Sequence, residues 1–125
     1  PVYLYIAAVP KAEMKADALQ AALAQQVGAA LPGAAWSDVQ IASPAGSNVS
    51  FKRLRGEGPQ DFVNLQTNAV EKQDGRFDLY FIDAGGHYVL LGWRAAKGQG
   101  EKWQFAASEA AMGSVTVAGA PAAGG

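Results

Sequence analysis

Residues 76–94, R-F-D-L-Y-F-I-D-A-G-G-H-Y-V-L-L-G-W-R, decide the fold that the sequence predicts. Large apolar residues occupy both halves of the stretch. The tetrapeptide D-A-G-G at 83–86 separates them and tolerates the positive φ of a tight turn. Both halves are apolar on two faces at their centres, which is typical of strands in a sheet covered on both sides. The stretch therefore predicts a central β-hairpin.

The flanking sequence predicts the other elements. Residues 2–9, V-Y-L-Y-I-A-A-V, form an apolar run that predicts a strand in the interior of the sheet, and Pro10 suits the first turn of a helix. Residues 11–31 are rich in strong helix formers with apolar residues at helical spacing, and they predict a long helix. Trp36 is expected in a short loop. Short strands are predicted at 39–42, 49–55 and 62–66, a break at 56–59, a loop at 67–75, and a short helix at 101–112.

A chain of 125 residues has the size of one domain and is long enough to bury a core without disulfides or metals. One helix followed by a run of strands favours an α+β fold over a parallel sheet. We expect a mainly antiparallel sheet with a long N-terminal helix and a short C-terminal helix, arranged like an α/β/α sandwich. The single α+β domain is expected over residues 1–117, and a flexible Gly/Ala tail over 118–125.

Composition restricts the function classes. The formal net charge is −1 and the sequence pI is about 5.7, which argues against a nucleic-acid binder, because phosphate contacts need a basic surface. The chain has no cysteine, which excludes a disulfide framework and a thiolate metal site and fits a cytosolic or an exported protein alike. No apolar run approaches the roughly 18 residues of a membrane-spanning helix. The start at Pro1, without Met, predicts a processed or trimmed fragment.

The sequence offers little catalytic chemistry. His87 is the one histidine, and no carboxylate stands at ligand spacing near it, so we expect no catalytic residue, no metal site and no cofactor. Asp78 and Asp83 have an odd separation and are interpreted as solubilising or turn-forming residues. Gly85 and Gly86 precede neither a Lys-Ser/Thr pair nor a helix, so they do not form a phosphate loop.

Basic and aromatic residues are the binding candidates. A small basic cluster lies on the strand predicted at 49–55, and it indicates either an anionic ligand or protein partner, or a solvated strand face paired with Glu57 or Glu71. Tryptophan in a β-rich domain either packs in the core or lines a ligand groove. The candidate residues for binding a small ligand or a protein partner are Lys52, Arg53, Arg55, Trp93 and Arg94.

The element order resembles the fold family that includes PsbP, the nuclear-import factor Mog and the bacterial lipoprotein DcrB. The resemblance lies in V-Y-L-Y-I-A-A-V-P followed by a long Ala/Leu/Gln helix, in the hairpin around 77–94, and in the closing stretch W-Q-F-A-A-S-E-A-A-M-G-S-V-T-V. That family usually has an extra hairpin before the first strand, which this sequence lacks. The resemblance implies helices on both faces of a sheet and a non-enzymatic role, often in exported bacterial proteins. It carries over no site residue.

Three hypotheses for the function follow. The first is a non-catalytic binding or assembly domain of an exported bacterial protein, periplasmic or secreted rather than cytoplasmic. The alternative is a small-molecule pocket protein of cystatin-like or nuclear-transport-factor-like fold, enzymatic or not. A cavity of roughly 300 Å³ or more between helix and sheet, lined by Tyr, Trp and Arg94, would favour it. The third is an interaction domain cut from a larger membrane-anchored protein.

Overall fold

The computed structural model describes residues 2–97 and 101–115, with the backbone alone for residues 2, 3 and 101–105. The described elements, in chain order, are β1 (Val2–Pro10), α1 (Ala16–Ala30), β2 (Ala35–Ala42), β3 (Asn48–Val63), β4 (Val70–Asp83), β5 (His87–Ala96) and α2 (Glu101–Gly113). The strands form a five-stranded antiparallel sheet of order β1-β5-β4-β3-β2. The tail predicted at 118–125 lies outside the described residues.

The central hairpin is confirmed. Strands β4 and β5 pair from Gly75↔Ala96 to Asp83↔Tyr88. The turn between them closes with the Ala84 amide donating to the His87 carbonyl at 2.9 Å, and Gly85 takes a φ of 80°, which a residue with a side chain rarely adopts. An α+β fold with an antiparallel sheet is likewise confirmed.

The fold prediction is wrong where it places a long N-terminal helix in an α/β/α sandwich. The structure is mostly antiparallel sheet, and its described helices are short, with 15 residues in α1 and 13 in α2. Pro10 does not begin the helix; it pairs with His87 as the last residue of β1. The Lys11 amide then donates to the Gly86 carbonyl at 3.0 Å, which holds this part of the predicted helix against the hairpin turn.

Strand β1 is not an interior strand, so that prediction is also wrong. It lies at the edge of the five-stranded sheet, and among the described strands it pairs with β5 alone. Its side chains are accordingly open to solvent, with Leu4 50%, Tyr5 46% and Ile6 69% exposed. The apolar run suggested burial on both faces, but neither helix covers the outer part of this strand.

The predicted break at 56–59 and the predicted loop at 67–75 are wrong as well. Strand β3 runs through the break, and β4 begins at Val70. Gly56 serves packing rather than a turn, because a Cβ there would lie 3.0 Å from the Leu31 side chain at the end of α1. Trp36 lies in β2 rather than in a loop, and its indole nitrogen donates to the Gln20 carbonyl of α1 at 2.8 Å.

The two faces of the sheet carry separate apolar clusters. The face that packs against α1, here the α1 face, is built on Leu54, Leu79 and Leu90, against which Leu23 and Val27 of the helix pack. The opposite face, here the α2 face, has the buried residues Ile41, Phe51, Tyr80, Ile82 and Met112, the last from α2. Alternation along each strand therefore sends neighbouring residues to different chemical environments.

Candidate ligand groove

The sheet separates the five residues predicted to bind a ligand or partner. Arg53 pairs with Tyr80 and Arg55 with Asp78, and these residues point to the α2 face, as does Trp93. Lys52 pairs with Phe81 and Arg94 with Phe77, and both of these phenylalanines belong to the α1 face. The predicted set is therefore two groups on opposite faces.

Asp78 lies at the centre of the group on the α2 face and is fully buried. Its two carboxylate oxygens accept from Nε of Arg55 at 2.7 Å and from a terminal nitrogen of Arg55 at 2.9 Å. Arg76 adds a further hydrogen bond at 3.0 Å. The hydrogen bonds to Asp78 raise the pKa of Arg55 above its ordinary value. The interpretation of Asp78 as a solubilising residue is wrong, because the carboxylate is a buried anchor for two arginines.

Arg53 is also occupied within the chain. It lies 3.6 Å from the carboxylate of Glu109 on α2, and its side chain is 15% exposed. The buried hydroxyl of Tyr80 lies beside it without a hydrogen-bond partner among the described residues. Burial raises the pKa of that hydroxyl, and the Arg53 guanidinium offsets part of the rise. The arginines of the α2 face thus meet acids of the same chain, and the arrangement ties β3, β4 and α2 together.

Lys52 lies in a shallow depression near the start of α1. Its ammonium contacts the Asp38 carboxylate at 3.0 Å on the neighbouring strand, and both side chains are exposed. The depression has a volume of about 700 Å³ and carries two acids, Asp38 and Asp83. Exposed pairs of this kind are worth little energetically, and the acidic lining does not favour an anion.

Arg94 has different surroundings, because it lines an open groove between the C-terminal end of α1 and the sheet. The groove has a volume of about 480 Å³. Its lining residues come from α1 and the segment after it, from β1, and from β3, β4 and β5: Val27, Ala30, Leu31, Tyr5, Pro59, Gln60, Asp61, Lys72, Phe77 and Arg94. This volume falls within the range of small-molecule sites.

Aromatic contacts fix the walls of the groove. Tyr5 and Phe77 meet edge to face, with ring centroids 6.0 Å apart. The Arg94 guanidinium lies over the ring of Phe62, 4.8 Å from its centroid, in a cation–π contact. Gly75 makes room for that ring, because a Cβ at this position would lie 2.6 Å from Phe62. The guanidinium is therefore held on the sheet side of the groove, and α1 contributes the apolar residues Val27 and Ala30 to the lining.

Charge on the groove lining comes from three residues. Lys72 and Asp61 face each other across the β3–β4 pair at 3.5 Å, so their charges offset each other. The third is Arg94, so the lining carries one net positive charge. Besides the Lys72–Asp61 pair, the lining offers apolar side chains, one guanidinium, the Tyr5 hydroxyl and the Gln60 amide. Among the described residues, no group of three or more His, Cys, Asp or Glu could hold a metal ion.

Of the residues that line the groove, Arg94 alone is among the five candidates named from the sequence. Tyr5 and Phe77 were interpreted as strand residues of a covered sheet, and Leu31 as part of the helical stripe. These residues come together because α1 ends over this part of the sheet. The sequence feature that indicates this is Gly56, where Leu31 closely approaches the strand. A small residue on a strand marks such an approach. His87, the histidine considered for catalysis, is exposed and does not line the groove.

No helix within the described ranges is long and apolar enough to cross a membrane. The resemblance to the fold family of PsbP stays a prediction. Comparison of the chain with protein-family models, with curated proteins and with solved structures found no match.

Proposed function

We propose that the protein is a non-catalytic binding domain whose groove takes a small amphipathic anion, with an apolar body and one carboxylate. The observation that carries the proposal is Arg94 in the wall of an apolar groove of about 480 Å³. The first hypothesis from the sequence, a binding domain, and the alternative, a pocket between helix and sheet, meet in this groove. The tryptophan expected to line it is absent from the lining.

The groove lining combines apolar side chains with one guanidinium, and this combination supports the proposed ligand class. Val27, Ala30 and Phe77 provide a surface that an alkyl or aromatic body covers when it binds, at roughly 25 cal/mol for each Å² of apolar area removed from water. The Arg94 guanidinium is planar and has five N–H donors, a geometry that matches the two oxygens of a carboxylate. The net positive charge of the lining disfavours a cationic ligand.

We propose a non-catalytic role because of the residue types among the described lining residues. Asp61 is the one acid among them, and it is exposed and paired with Lys72. Ser, Thr, Cys and His do not occur in the lining, so it has no hydroxyl or thiol nucleophile paired with a histidine base. What the groove supplies is selection by shape and charge.

The test is a calorimetric titration with decanoate, compared with the uncharged decanol of the same chain length. We expect decanoate to bind, and the variant Ala30→Trp to lose binding, because Ala30 is exposed at the groove and a large side chain there occupies it. The matched control is Ala21→Trp, an exposed alanine on the same helix that does not line the groove. Equal loss of decanoate binding in Ala30→Trp and Ala21→Trp contradicts the proposal, and so does an unsubstituted protein that does not bind decanoate.

A further inference from the structure

Nothing in the described part of the chain pairs with the outer edge of β1. All nine residues of the strand pair with β5 on one side, and no described strand pairs with the other. Its sequence, V-Y-L-Y-I-A-A-V-P, contains no charged residue, and the proline stands at the end. Sheet edges in monomeric proteins are normally protected by charges, an internal proline, a bulge or a covering segment.

The opposite edge shows that protection. Strand β2 carries Asp38, which is held by Lys52, and the polar residues Ser37 and Gln40, all three exposed. Strand β2 also contacts α2. The two edges of one sheet thus differ in chemistry: β2 resists the addition of a strand and β1 invites it.

Apolar side chains extend the open edge onto the α2 face. Leu4 lies opposite Trp93 and Ile6 opposite Leu91 on β5, so these four residues form an apolar strip beside the edge. Leu4 is 50% and Ile6 69% exposed, whereas Leu91 and Trp93 are half-buried against the α2-face cluster. The exposed part of the strip is its outer part.

We propose that β1 pairs antiparallel with β1 of a second copy about a two-fold axis, joining two five-stranded sheets into one continuous sheet. Unpaired backbone groups along the edge require an extended strand as partner rather than a helix or a lipid surface. The β1 strand of a second copy has no charge to repel, and the axis brings the apolar strips of both copies together on one face. Pairing of β1 with β2 of another copy would instead place Asp38 at every junction of an open-ended chain of copies.

The first experiment uses the absence of cysteine from the chain. Each of residues 4–8 is replaced singly by cysteine, and disulfide dimers are measured after mild oxidation. In a two-fold antiparallel pair one residue faces its own copy with a Cα separation of about 4.5–5.5 Å, which suits a disulfide. We expect one variant to cross-link far more than its neighbours. Gln40→Cys on β2 is the control, and cross-linking of β1 variants no stronger than that control overturns the proposal.

The second experiment measures mass by sedimentation. The unsubstituted chain is expected to be a dimer at roughly 100 µM, the range of weak specific association. Ile6→Lys is expected to sediment as a monomer with unchanged circular dichroism, because each copy then places a lysine in the apolar strip that the pairing brings together. Val70→Lys, at a residue 66% exposed on the projecting end of β4, is the matched control and stays dimeric. A monomeric unsubstituted chain, or equal dissociation of both variants, overturns the proposal.

Discussion

The guanidinium of Arg55 donates a hydrogen bond to each carboxylate oxygen of Asp78, at 2.7 Å and 2.9 Å, and Asp78 has no exposed surface. The two residues are directly opposite each other on β3 and β4. A bidentate pair of this geometry is specific in direction as well as in charge. It therefore fixes the register of these two strands. A slip of β3 by one residue would send Arg55 to the face of the sheet away from Asp78.

Replacement of Asp78 by alanine is expected to lower the free energy of unfolding by about 2–4 kcal/mol, because it removes a fully buried carboxylate and leaves two partly buried arginines, Arg55 and Arg76, without their counter-ion. The measurement is urea denaturation at neutral pH. Asp83→Ala is the control, since Asp83 is exposed on the same strand and pairs with Lys11 at the surface, and its loss is expected to stay within about 1 kcal/mol. Similar losses for the two variants would show that the buried pair does not stabilise the fold.

A methyl group at Gly75 should be destabilising for a steric reason. The added Cβ would lie 2.6 Å from the ring of Phe62, which is 1% exposed and has little room to move. We expect Gly75→Ala to cost about 1–3 kcal/mol in denaturant melts. In Gly86→Ala the Cβ meets nothing within 4 Å, so this variant should change stability little. A harmless Gly75→Ala would mean that Phe62 does not pack where the structure places it.

Tyr80 predicts an alkaline loss of stability. Burial raises the pKa of its hydroxyl, with Arg53 offsetting part of the rise and Asp78 adding to it. The folded state therefore keeps the proton at pH values where the unfolded chain has lost it, and the free energy of unfolding falls as pH rises above about 10, the ordinary pKa of tyrosine. Below that pH the hydroxyl is protonated in both the folded and the unfolded state, so it does not contribute to the pH dependence of the free energy of unfolding.

Urea melts at about pH 8 and about pH 11 test this, because Tyr80→Phe should lose less stability between the two than the unsubstituted protein. At the lower pH the variant should differ by less than about 1 kcal/mol, since the hydroxyl has no hydrogen-bond partner among the described residues. Tyr5→Phe removes an exposed hydroxyl and should keep the full alkaline loss. Identical pH dependence in the unsubstituted protein and Tyr80→Phe would contradict the assignment.

Local patterns predicted the elements whose neighbours are close in sequence. The hairpin of β4 and β5 followed from alternation and a glycine turn, and α2 from helix formers. Gly56 and Gly58 were misinterpreted because glycine marks both a break and a close approach, and here Leu31, directly after α1, packs against them. Which of these applies depends on tertiary contacts that the sequence pattern does not contain.

The candidate site was harder to predict than the fold, for the same reason. Arg53 and Arg94 looked equivalent as basic strand residues, yet the first faces Glu109 on α2 and the second lines the groove below α1. Strand alternation decides the face, but only the strand order decides what lies opposite. The apolar composition of β1 did not predict its place at the edge of the sheet, because an interior strand and an uncharged edge strand have the same composition.

The most direct test of the groove as a carboxylate site is the affinity ratio of decanoate to decanol, measured by calorimetry in the unsubstituted protein and in Arg94→Gln. We expect the unsubstituted protein to prefer decanoate by roughly five- to tenfold, and Arg94→Gln to bind the two ligands equally. Lys52→Gln, which removes the same charge outside the groove, should keep the preference. An unchanged preference in Arg94→Gln, or none in the unsubstituted protein, would contradict the account.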